Sequence, residues 1–210
     1  MSAALSQVSG LGVATAFFVG SFLGIAPHGE AEQPLPWHPL TWAFAFAAHE
    51  QQNCRRTFEA LRQAYPQVPA SRLLGDLLAA SPGQEGRWFA TACALRFFAL
   101  AAEIAAEAPC DPRTLLRAGL VRLDADPEFS REVAVAALRW TCGGHGVEIT
   151  GDEVYAVFDL ARAAAERTGT LPRTRSRIAA ACDDPNPAAQ WVLGLLAAEL
   201  RPASGDPRSH

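Results

Sequence analysis

Residues 126–144 read DPEFSREVAVAALRWTCGG and contain both the start signal and the stop signal of a helix. Asp126 can cap a helix N-terminus, and Pro127 suits the first helical position because no N–H group is needed there. The glycine pair at 143–144 is typical of the turn beyond a helix C-terminus. The stretch therefore predicts one helix that begins at Asp126-Pro127 and ends at about Thr141.

Similar signals recur on both sides of this stretch. Asp-Pro, Asn-Pro and Thr-x-x-Glu starts alternate with glycine and proline stops, and no run of alternating strand residues or 30–45-residue repeat is found. Further helices are predicted over about 40–65, 70–80, 86–108, 111–123, 150–169, 172–182 and 187–200. The sequence predicts an all-α, single-domain multi-helix bundle of about seven to nine helices over residues 40–200.

Two of these helices carry more specific expectations. Segment 86–108 is the most apolar, with Phe89, Phe97 and Ile104 at helical spacing, so it is expected to be the central helix of the bundle. The start of the 40–65 helix is left open, because aromatic residues alternate there as in a strand. In the last helix, the predicted buried residues are Trp191, Val192, Leu195 and Leu196.

Composition excludes several classes of function. The 210-residue chain is 50% hydrophobic, 19% charged and carries a formal net charge of −4. A general nucleic-acid binder normally has a basic excess, so no nucleic-acid partner is expected. All basic residues are arginine, as coding bias in a high-GC genome explains, and the absence of lysine excludes Schiff-base chemistry and a P-loop.

The five cysteines are widely spaced, and no two of them form a C-x-x-C pair. An odd number without close pairs argues against a disulfide framework and against a four-cysteine zinc site. A reducing, cytoplasmic location fits this usage best. No metal and no cofactor are expected.

The N-terminal segment 1–30 is apolar and almost free of charge, and a Pro-rich linker over 31–39 follows it. Within the segment, 11–26 is too short and too glycine-rich for an ordinary membrane span. Small residues recur there every four positions, as in closely packed helix pairs. This self-association stripe consists of Gly12, Ala16, Gly20 and Gly24. Membrane association through 11–26 stays an alternative, as does a processed signal, and residues 201–210 are expected to be a flexible tail.

The loop motif Cys142-Gly-Gly-His145-Gly is the first candidate for chemistry. The favoured interpretation is a glycine helix cap with a polar histidine in the turn. The alternatives are a thiol activated by the imidazole and two ligands of a metal site that lacks its second pair. CGGHG resembles the glycine-rich stretch near the C-terminus of acyl-CoA oxidases, where it lies by the flavin. The likeness covers five residues of 210, and no function is carried over from it.

Three arginines in LPRTRSR form the second candidate site, for an anion or an acidic partner. Guanidinium groups can clamp phosphate or carboxylate, but helical geometry places Arg173 and Arg177 together and Arg175 elsewhere. A solvated basic face is the simpler interpretation.

These observations predict a non-enzymatic helical interaction, adaptor or regulatory protein that contacts itself or a protein partner. The motivation is an excess of apolar residues over what one compact domain needs to bury. The first alternative is a small-molecule-binding or thiol-dependent enzyme with an interior pocket that uses Cys142, His145 and Arg96. The second is a protein associated with the inner membrane through 11–26.

Overall fold

The computed structural model describes residues 54–201, which are 75% helical and contain no strand. The prediction of an all-α multi-helix bundle is confirmed for this part of the chain. Its helices are α1 (Cys54–Ala64), α2 (Ala70–Ala79), a short 3-10 helix (Glu85–Trp88), α3 (Phe89–Ala94), α4 (Phe98–Glu107), α5 (Pro112–Arg122), α6 (Pro127–Cys142), α7 (Gly151–Arg167), α8 (Leu171–Cys182) and α9 (Pro187–Leu200).

The helix starts lie where the local signals place them. The carboxylates of Asp111 and Asp126 accept hydrogen bonds from the backbone N–H of the third residue of α5 and α6, and the Asn186 amide oxygen does so for α9. Thr150 and Glu153 form the complete capping box of α7. Each cap satisfies an N–H group that has no partner inside its own helix, which explains why these positions were predictable.

The central helix is α6, and the prediction that 86–108 would occupy this place is wrong. Twelve of the 16 residues of α6 are buried, and the helices α4, α5, α7, α8 and α9 all pack against it. Its alanines and valines are all buried, and Val133, Ala134 and Ala137 have no exposed surface. Because small side chains lie on several faces of α6, helices can pack closely on several sides of it. A helix with a single apolar stripe can pack against neighbours on one side only.

Segment 86–108 is two α-helices rather than one, because α3 ends at a left-handed residue. Arg96 has a φ of 63°, its N–H bonds to the Cys93 carbonyl, and the Phe97 N–H bonds to the Ala92 carbonyl, both at 3.0 Å. This is the Schellman pattern, which usually has glycine at the left-handed position. An arginine there gave no stop signal in the sequence, so the predicted helix was too long.

Tertiary contacts compensate for the left-handed arginine. The turn lets α4 begin at Phe98, whose ring packs edge-on against Phe129 at a centroid distance of 5.4 Å. On the same ring, the Arg122 guanidinium lies 4.0 Å from the centroid. These aromatic and cation–π contacts are non-local, and they favour the bend over a straight helix.

Several expectations concern residues outside the described range. These are the uncharged segment 1–30, the linker 31–39, the stripe of Gly12, Ala16, Gly20 and Gly24, and most of the tail 201–210. Between residues 54 and 201, none of the helices has both the length and the apolar character needed to cross a bilayer.

Candidate functional site

The CGGHG loop caps the C-terminus of α6, as the favoured interpretation held. Gly144 is left-handed with a φ of 76°, and the His145 N–H bonds back to the Trp140 carbonyl at 2.8 Å. The Gly143 N–H continues the helical pattern to Arg139. The glycine pair therefore reverses the chain directly after Cys142.

This reversal places Cys142 and His145 in different surroundings. Cys142 is buried and only 2% exposed, whereas His145 is exposed and its ring packs edge-on against Trp140 at 5.5 Å. Among the described residues, the thiol of Cys142 hydrogen-bonds to Cys182 rather than to the imidazole. Arg96 lies exposed in the turn between α3 and α4. The three polar groups expected around an interior pocket therefore do not line one cavity.

Cys142 and Cys182 form a buried thiol pair that the sequence did not indicate. Their Sγ atoms lie 3.2 Å apart, and each cysteine is the last residue of its helix, α6 or α8. The hydrogen bond with Cys182 and burial raise the pKa of Cys142 above its ordinary value. The same hydrogen bond lowers the pKa of Cys182, against the effect of burial. A separation of 40 residues matches no cysteine spacing motif, so only the packing of α8 on α6 reveals the pair.

The remainder of the loop is held by Arg113 at the start of α5. Its guanidinium donates to the carbonyls of Val147 and Glu148, both at 2.9 Å, and pairs with the Glu153 carboxylate. The Arg113 hydrogen bond lowers the pKa of Glu153 to about 2. A salt bridge therefore ties the capping box of α7 to the loop after α6.

The three arginines of LPRTRSR have three different environments. Arg177 donates two hydrogen bonds of 2.8 Å to the two carboxylate oxygens of Glu132 on α6. Arg173 is exposed, and Arg175 is half-buried with an Nε atom that lacks a hydrogen-bond partner among the described residues. The three arginines do not form one cluster, because the Arg177 guanidinium is paired with Glu132.

That ion pair is part of a small network between α6 and α8. Arg131 is 7% exposed and also donates to Glu132, at 2.7 Å, and to the Thr170 hydroxyl, at 2.8 Å. Hydrogen bonds from Arg177 and then Arg131 lower the pKa of Glu132 to about 2, from an ordinary value of 4.5. Glu132 was not predicted from the sequence, because its partner Arg177 lies 45 residues away.

Replacing Glu132 with glutamine is expected to reduce the free energy of unfolding at pH 7 by about 1–2 kcal/mol, after allowance for solvent screening at the half-exposed Arg177. Since the folded-state pKa is depressed, the carboxylate stabilises the fold above about pH 4.5. That stability is lost as the pH falls towards 2. Urea unfolding of both proteins between pH 7 and pH 3 measures this difference. Asp159→Asn, which removes the exposed pair with Arg162, is the control and should change stability by less than about 0.5 kcal/mol.

Helix α9 differs from the prediction, because Trp191 is 41% exposed rather than buried. The buried face consists of Ala189, Val192 and Leu196. The helix is apolar around most of its circumference, so the sequence pattern did not determine which side faces the core. The outer apolar face consists of Trp191, Gly194, Leu195 and Ala198, of which Leu195 is half-buried and the others are exposed.

The outer apolar face of α9 is held in place by α7. The hydroxyl of Tyr155, itself 41% exposed, donates to the Leu195 carbonyl at 2.9 Å. A methyl group at Gly151 would lie 3.7 Å from the Leu195 side chain, which is ordinary contact distance. An exposed tyrosine therefore extends the apolar surface beyond α9 itself.

The described residues border an open depression and a narrow crevice. The depression has a volume of about 500 Å³, and the described residues that line it are Arg55, Arg56, Glu59, Ala60 and Gln63 of α1. A crevice of about 10 Å³ beside Arg113 has room for a single water molecule. Within residues 54–201, no three His, Cys, Asp or Glu side chains come together as metal ligands.

Comparison with known protein families, with curated proteins and with solved structures finds no match to this chain. No relative therefore supplies a function, and a function can be proposed only from the chemistry of the described residues.

Proposed function

We propose that this protein is a helical interaction module that forms dimers through the outer apolar face of α9. The observation that carries the proposal is the exposure of Trp191 on a helix whose opposite side is already buried in the core. Tryptophan supplies a large apolar contact area, and it is enriched among the residues that dominate binding at protein interfaces.

A second copy of the chain is the partner that this face fits. Trp191 is bulky, whereas Gly194 and Ala198 follow it at helical spacing and are small. In an antiparallel pair about a twofold axis, the bulky end of each face lies beside the small end of the other. The face is therefore complementary to itself.

Charge also favours a second copy over a charged partner. None of the four residues of the face is charged. A nucleic acid or another charged partner would therefore find no group of opposite charge on this face. When two copies of the face pack together, no charged group has to lose its hydration.

The rival functions have less support. A thiol-dependent enzyme would need Cys142 near a base, and its hydrogen bond goes to Cys182 instead. Membrane anchoring would depend on residues 11–26, which lie outside the described range.

The proposal predicts that the full chain is a dimer and that Trp191→Asp makes it a monomer. Light scattering coupled to size-exclusion chromatography should give twice the 22.4 kDa chain mass for the original protein and the single-chain mass for the variant. Burying an unpaired carboxylate in an apolar interface should weaken the dimer roughly 100-fold or more.

Val121→Asp is the matched control, since Val121 is 83% exposed on α5 and lies outside the proposed face. This variant should remain a dimer. A monomeric original protein, or a Trp191→Asp variant that remains fully dimeric, would contradict the proposal.

A further inference from the structure

We propose that Cys142 and Cys182 form a reversible disulfide when the protein meets a small peroxide, so that the thiol pair is a site of oxidative modification. The two Sγ atoms are already 3.2 Å apart. A disulfide bond needs about 2.0 Å, so the sulfurs have to approach by only about 1.2 Å. The inference does not depend on the proposed dimer.

Both sulfurs lie at helix ends that are followed by exposed residues. Each cysteine is the last residue of its helix, and the residues that directly follow, 143–146 and 183–185, are exposed. Cys142 and Cys182 are themselves 2% and 0% exposed. A small uncharged oxidant such as hydrogen peroxide suits this position, whereas glutathione disulfide is too bulky to reach a covered sulfur.

The hydrogen bond between the two sulfurs, in which either thiol can donate, holds both groups in place before oxidation. It lowers the pKa of Cys182 and raises the pKa of Cys142, so the attack on the peroxide is assigned to Cys182. The pKa of Cys142 is raised by this bond, by burial and by the nearby Asp184. Since the thiolate is the nucleophile, Cys182 attacks the peroxide and Cys142 resolves the product.

The reaction balances in two steps. The Cys182 thiolate attacks one peroxide oxygen, the O–O bond breaks, and hydroxide leaves and takes up the proton that Cys182 had released. This gives one water and a sulfenic acid on Cys182. The Cys142 sulfur then displaces the hydroxyl group, and its proton leaves in a second water. The two thiols lose two electrons and two protons, and the peroxide is reduced to two waters.

Two of the other three cysteines, Cys93 and Cys110, provide a contrast, and the third, Cys54, accepts a hydrogen bond from the Arg87 guanidinium at 3.1 Å. Cys110 donates its thiol hydrogen bond to the Gly86 carbonyl, and burial raises its pKa to about 12. Burial likewise raises the pKa of Cys93 to about 11. Neither has a hydrogen bond to another thiol in the described part of the chain. The thiol pair at Cys142 and Cys182 should therefore form one defined cross-link.

The test treats the folded full chain with hydrogen peroxide, removes the peroxide with catalase, and alkylates the denatured protein. The number of alkylated cysteines should fall from five to three, with an intact-mass loss of two hydrogens and a peptide that joins Cys142 to Cys182. Dithiothreitol should restore all five. Because the cross-link closes a long loop, the oxidised protein should melt about 5–10 °C higher.

Two variants sharpen the result. Cys110→Ala should form the same cross-link, whereas Cys142→Ala should form none. The mapping on the original protein is sufficient if a variant does not fold. Five alkylated cysteines after treatment, a cross-link between other cysteines, or a cross-link formed only after denaturation would each overturn the proposal.

Discussion

Replacing Trp88 with alanine should reduce the free energy of unfolding by about 3–5 kcal/mol, among the largest effects of any single change in this protein. The Trp88 side chain has no exposed surface and lies where the 3-10 helix meets α1 and α2. Its indole N–H donates to the Ser81 hydroxyl at 3.1 Å, and that hydroxyl donates to the Leu77 carbonyl at 2.9 Å. Alanine would leave a cavity and would remove the hydrogen bond that joins the ring to the end of α2.

Urea unfolding followed by far-UV circular dichroism measures the effect without relying on tryptophan fluorescence. Trp88→Phe is the control, because it keeps most of the ring volume and removes the indole N–H. It should cost about 1–2 kcal/mol. A loss below about 1 kcal/mol for Trp88→Ala would show that the ring does not hold this part of the bundle together.

Replacing Gly86 with alanine should destabilise the fold by about 3 kcal/mol through overpacking. A Cβ atom at Gly86 would lie 1.9 Å from the Pro109 carbonyl oxygen and 3.0 Å from the Cys110 sulfur. The first of these is a backbone atom, so no side-chain rotation can relieve the clash. Either the 3-10 helix or the segment between α4 and α5 has to move.

Gly151→Ala is the matched control, since the added methyl group would meet only the Leu195 side chain at 3.7 Å. Alanine is the better helix former, so this variant should be unchanged or up to about 1 kcal/mol more stable. Thermal unfolding of both variants beside the original protein compares them. Equal melting temperatures for Gly86→Ala and the original protein would contradict the close approach.

The proposed disulfide between Cys142 and Cys182 lies close in the chain to the proposed dimer face on α9. Each of the two proposals stands without the other. Helix α9 begins at Pro187, shortly after Cys182 ends α8. A disulfide to α6 would therefore fix the point from which α9 starts. The Glu132 network joins the same two helices, α6 and α8, through the bidentate bonds from Arg177.

Helix starts were predictable from the sequence because their causes are local. Asp126, Asn186 and Thr150 each accept a hydrogen bond from an N–H group three residues further along the chain. The stop at Gly144 has the same local character, since glycine adopts the left-handed turn without strain. The left-handed Arg96 had no such local cause, so the break in 86–108 was missed.

The candidate sites were less predictable, because their partners are distant in sequence. The alternative interpretation of CGGHG paired Cys142 with His145, but the helix cap places the imidazole at the surface while the thiol is buried. The alternative interpretation of the three arginines was an anion site, but Arg177 pairs with Glu132 of another helix. Proximity in sequence did not produce proximity of the functional groups.

The sequence by itself determined the all-helical class and most of the helix boundaries between residues 54 and 201. These depend on caps, glycine and proline conformations and apolar spacing, which act within a few residues. The tertiary structure alone decided that α6 is central, that Trp191 faces outward and that Cys142 meets Cys182. The physical reason is that helix packing selects one face of each apolar helix. For an almost uniformly apolar helix such as α9, neighbours and not its own residues make that choice.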